Sequence, residues 1–166
     1  MTTFQPRKLC AALTAAAIAI ALSAPATAQT GTHGHEAAAP HKLTLDHGRK
    51  WATDAPLRDG MSRIRGLVAT RVGDARAAKV DAAEYRRLAA QIETEVGTIV
   101  AECKLEPKAD AVLHVIVADL LQGADAMAGK TATLHPAQGL DKVATALNDY
   151  RTHFDHPGFQ PLRRAS

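Results

Sequence analysis

From residue 53 onward, apolar residues recur at gaps of three and four. Leu57, Met61, Ile64, Val68 and Val72 make one such stripe, the signature of a helix with a single core-facing side. Thr53 or Asp54 is placed to cap it, and Pro56 falls in the first turn, where a missing N–H costs nothing. Gly66 and Gly73 weaken this helix slightly. Asp81 followed by Glu84 has the form of a capping box and opens a second stripe, Tyr85, Leu88, Ile92, Val96, Ile99 and Cys103. Pro107 separates it from a third helix over about 108–128, with a wide apolar face of Val112, Leu113, Ile116, Val117, Leu120 and Leu121. Gly129 suits the position just past its end. A polar connection, 130–138, leads to a fourth stripe at Leu140, Val143, Leu147, Tyr150 and Phe154, which Pro157-Gly158 ends. No stretch alternates with period two. The pattern predicts an all-α protein: an up-down-up-down antiparallel four-helix bundle over 53–158, with a short C-terminal tail at 159–166.

The N-terminus reads differently. Arg7 and Lys8 precede an apolar run from Leu9 to Leu22, and Ala26-Thr27-Ala28 is a small-x-small cleavage site. This three-part plan predicts a secretory signal peptide over 1–28 and export to a bacterial periplasm; the apolar run is short for a membrane span. Residues 29–52 lack a sustained period and carry His33, His35, His41 and His47, so they are expected to form a flexible tail.

Cleavage changes the charge argument. Of 166 residues 138 remain, and because Arg7 and Lys8 leave without an acid, a net charge of +3 falls to +1. A nucleic-acid partner thereby loses its electrostatic basis. No membrane contact is expected after cleavage. Cys10 leaves as well, so Cys103 becomes the single thiol of a chain bound for an oxidising compartment. There is no nucleophile elbow, P-loop, dinucleotide fingerprint or H-E-x-x-H. The chain is not expected to be an enzyme.

Antiparallel order would gather donors from distant parts of the chain at one end. Met61 lies in the second turn of helix one, Cys103 in the last turn of helix two, His114 in the second turn of helix three and His153 in the last turn of helix four, with His156 just beyond. Met61 and Cys103 fall on their apolar stripes and are expected to point inward. His114 shares a face with Val117 and Leu121 and is expected to be inward or on the flank; His153 is expected at a stripe edge. Thiolate, thioether and imidazole together are the donor set of copper centres. The expected function is periplasmic copper binding, in metal handling or electron transfer, with Met61, Cys103, His114, His153 and His156 as candidate ligands. The expected partner is a periplasmic redox or metal-transfer protein.

The stretch Ala55-Pro-Leu-Arg-Asp-Gly-Met61 resembles the opening of cytochrome b562, a periplasmic four-helix haem protein, and the segment from His114 to Lys130 is also similar. The resemblance spans about 55–155. It implies a second function, b-type haem electron transfer, with Met61 and His153 as axial ligands. Covalent haem attachment is excluded, because no C-x-x-C-H occurs. A third alternative, a ligand-free interaction or stress protein, requires no donor site at all.

Overall fold

The computed structural model describes residues 42–76 and 79–162. Contacts divide the chain into Met1–Glu36 and Ala37–Ser166, and the described residues belong to the second unit. The signal peptide expected over 1–28, and His33, His35 and His41 of the tail, lie outside the described residues.

Four helices account for the regular structure: α1 (Ala55–Arg76), α2 (Ala82–Glu102), α3 (Pro107–Met127) and α4 (Pro136–His153). Among the described residues there is no strand, only the isolated bridges Asp46↔Arg49 and Trp51↔Phe154. Each helix packs on its neighbours in sequence, and α1 also packs on α4, which makes a four-helix bundle. The stripes are buried as expected, except that Cys103 and Leu121 are only half-buried at the edge: Leu57, Met61, Ile64, Val68, Val72, Tyr85, Leu88, Ile92, Val96, Ile99, Leu140, Val143, Leu147, Tyr150 and Phe154 all lie in one core. No polar or charged residue is buried among them. The packing of these side chains, each contributing about 1.5–3 kcal/mol, is what holds the fold.

The helix ends follow local chemistry. Asp54 Oδ1 accepts from Leu57 N at 3.0 Å and caps α1. Asp81 and Glu84 form the expected capping box on α2. α3 begins at Pro107 itself, with the Glu106 carboxylate accepting from Lys108 N and Ala109 N. α4 begins at Pro136, inside the expected polar connection, and Gln138 Oε1 accepts from His135 N at 2.8 Å. Both starts obey the same logic, since proline is favoured where its absent N–H would be unpaired anyway. Gly129, at φ +73°, ends α3 in a Schellman arrangement: Gly129 N donates to Ala126 O and Lys130 N to Asp125 O. α4 stops one residue before Phe154, which turns extended yet remains fully buried.

The segments expected as tails carry packed residues. Trp51 is buried, donates from Nε1 to Thr44 O at 2.6 Å and from its backbone N to His153 O at 2.8 Å. Before it, His47 and Gly48, both at positive φ, make a tight turn between Asp46 and Arg49. Phe159 and Leu162 are likewise buried, and Asn148 holds Leu162 through both its backbone N–H and C=O. These residues fall outside the periodic stretches, so no repeat announces them.

Three contacts bring chain ends together. The Oδ2 of Asp54, at the start of α1, accepts from Lys104 N just beyond α2 at 2.6 Å. Trp51 O accepts from Asp155 N, and Thr53 Oγ1 donates to Asp155 O at 2.6 Å. The start of α1 therefore adjoins the ends of α2 and α4, beside Cys103, His153 and His156.

Candidate metal centre

Cys103 terminates α2. Its backbone N–H donates to Ile99 O, its φ and ψ are extended, and its side chain is half-buried against the core. The bond between Asp54 and Lys104 N fixes the residue that follows it. Burial pushes the Cys103 thiol above its ordinary pKa, and the carboxylates of Asp54 and Asp110 push it further. At neutral pH it is a thiol, and a soft cation bound there would displace the proton.

His114 stands two turns into α3, on the flank, with a side chain 62% exposed. The face of α3 that enters the core runs through Val112, Leu113, Ile116, Leu120, Gly123, Ala124 and Met127, which leaves His114 outside it. Its Nδ1 lies 2.8 Å from Asp110 O and 3.4 Å from Asp110 Oδ2. An Nδ1–H donating to Asp110 leaves Nε2 as the free nitrogen, the tautomer that suits a metal ligand. Cys103 and His114 line one depression of about 200 Å³ together with Val100, Asp110, Leu113 and Val117.

The other candidates lie apart from this depression. Met61 is in the core with no exposed surface. The Nδ1 of His153 lies 2.8 Å from Asp149 O, and its backbone carbonyl receives Trp51 N. His156 has both ring nitrogens engaged, Nδ1 3.0 Å from the Tyr150 hydroxyl and Nε2 3.3 Å from Ser62 Oγ. It borders a separate hollow with Arg58, Asp59 and Asp155. Among the described residues, no three His, Cys, Asp or Glu side chains converge as a group able to hold an ion.

Two contributors were missed from the sequence. Asp110 lies four residues before His114, a spacing that makes helical neighbours and was available as a signal. Asp54 is one of two cap candidates in the sequence; nothing local indicates that its second oxygen reaches Lys104 across the bundle end.

No helix among the described residues is long and apolar enough to cross a membrane. No protein-family model, curated protein or solved structure matches the chain.

Proposed function

We propose that this protein is an exported, periplasmic copper-binding bundle of up-down-up-down antiparallel order that acts in metal handling, with Cys103 and His114 as its ligands. The carrying observation is that these two side chains line one small depression, with Nε2 of His114 free. A soft sulfur and an imidazole suit cuprous copper, which accepts low coordination numbers. A single ion between them asks the exposed His114 side chain to swing toward Cys103. The antiparallel order is supported by the contacts of Asp54 with Lys104 and of Trp51 with His153 and Asp155. Met61, His153 and His156 drop out of the ligand set because they are buried, apart from the depression, or engaged at both nitrogens. Haem ranks second: Met61 and His153 would have to face one slot, and Met61 has no exposed surface.

Anaerobic titration of cuprous ion against a chromophoric chelator tests this reading. The protein is expected to withdraw one equivalent, and Cys103→Ser or His114→Ala to weaken retention by about 100-fold. The raised thiol adds a pH dependence of known sign. Binding releases a proton, so retention strengthens as pH rises, by up to about tenfold per unit. Copper that stays with the chelator, or that Cys103→Ser binds equally well, overturns the proposal. A Soret band on adding haemin, abolished by Met61→Ala, would transfer the function to haem.

A further inference from the structure

The segment after α4 turns back over the bundle and is held at several points. Phe159 N donates to His156 O at 3.2 Å, and Arg65 Nε donates to Gln160 O at 2.7 Å while its guanidinium lies 6.0 Å from the Phe159 ring centre. Asn148 fixes Leu162. Between α4 and this strap, Pro157 precedes Gly158, whose φ of +82° suits a hinge that only glycine adopts without strain.

His156 sits where the strap leaves the helix. Its ring packs on Phe159 at 4.8 Å and meets the edge of Tyr150 at 5.8 Å. Hydrogen-bond accounting assigns its tautomer. Burial keeps the Tyr150 hydroxyl a phenol, and its one hydrogen bond among the described residues is to His156 Nδ1. The phenol therefore donates to Nδ1, and Nε2–H donates to Ser62 Oγ. This leaves Ser62 without a base, so the trio does not form a nucleophilic site.

We propose that His156 is a proton-operated clasp: neutral, it ties the strap over 156–162 to α4 and α1; protonated, it releases the strap about Gly158 and uncovers the apolar surface under Phe159 and Leu162. The proposal does not depend on copper. In imidazolium both nitrogens are donors, so Nδ1–H would face the Tyr150 O–H. The phenol proton would then lose the acceptor that holds it, the one hydrogen-bond partner of the Tyr150 hydroxyl among the described residues.

The charged surroundings agree in direction. From α1, Arg58 disfavours the imidazolium and Asp59 favours it; from beyond α4, Asp155 favours it. Burial, the largest influence, and Arg58 prevail, and the pKa of the closed state lies below the ordinary 6.5. The released imidazole takes up a proton more readily than the closed one. Closure is therefore complete above pH 6.5 and is lost as pH falls through the depressed value.

Amide hydrogen exchange on the full chain with a metal chelator present, corrected for intrinsic rates, tests the clasp. Between pH 7 and pH 5, protection of the Phe159 and Leu162 amides is expected to fall about tenfold, while protection of mid-α3 amides holds. His156→Gln accepts and donates like neutral imidazole without titrating, and is expected to keep protection at pH 5. If that variant opens already at pH 7, Tyr150→Phe carries the test, because removing the opposed hydroxyl while burial and Arg58 remain is expected to weaken the pH dependence. Unchanged protection in the parent protein, or full pH dependence retained in both variants, overturns the proposal.

Discussion

Replacing Gly139 by alanine is expected to destabilise the bundle by about 2–3 kcal/mol, lowering Tm by roughly 10 °C. A Cβ there would lie 2.6 Å from Gly123 O, 2.8 Å from Ala126 Cβ and 2.9 Å from Met127 N. Two of those atoms are backbone, so α3 and α4 would have to separate. The reciprocal change, Gly123→Ala, meets Gly139 O at 2.7 Å and Val143 Cγ2 at 2.6 Å and is expected to cost a similar amount. Gly97→Ala is the control. Nothing lies within 4 Å of its Cβ, and an exposed helical glycine gains about 0.5–1 kcal/mol on becoming alanine. The same chemical change thus carries opposite signs at two positions, read by thermal melts. A Gly139→Ala melt equal to that of the parent would mean that the two helices do not approach so closely.

Phe154→Ala is expected to cost about 3–5 kcal/mol. Phe154 is fully buried, stacks on Tyr150 at 5.3 Å, and pairs through its backbone with Trp51. Truncation opens a cavity where the segment at Trp51 meets the end of α4. Urea unfolding followed by fluorescence of Trp51, the one tryptophan in the chain, measures it directly. The expected result is a lower midpoint with an unchanged slope. A loss below about 1 kcal/mol would place Phe154 outside the core, against its burial.

These two residues also mark where the sequence was informative and where it was silent. Phe154 was visible because it continues a three-and-four spacing from Leu140, and spacing survives even where the helix ends one residue early. Gly139 and Gly123 were invisible: what lets two helices touch is the absence of a side chain, and absence has no period. Trp51, Phe159 and Leu162 fall in segments the spacing predicts as tails, because each is an isolated anchor outside a repeat. For the candidate site, chain order suggests donors that could share an end, and of these Cys103 and His114 line one depression. Chain order did not indicate facing. His114 keeps helical spacing with Val117 and Leu121, yet α3 buries the side centred on Leu113, Ile116 and Leu120, so His114 lies on the rim. His156 was visible as a donor but not as a partner of Tyr150 and Ser62, since that arrangement needs the chain to turn back after Phe154.

X-ray absorption at the copper edge, on the full chain loaded with one equivalent of cuprous ion, examines the ligand pair itself. A sulfur and an imidazole nitrogen are expected on the metal, the sulfur vanishing in Cys103→Ser and the imidazole in His114→Ala. A sulfur signal that survives Cys103→Ser, or a shell of oxygen and nitrogen alone in the parent protein, would contradict that ligand pair.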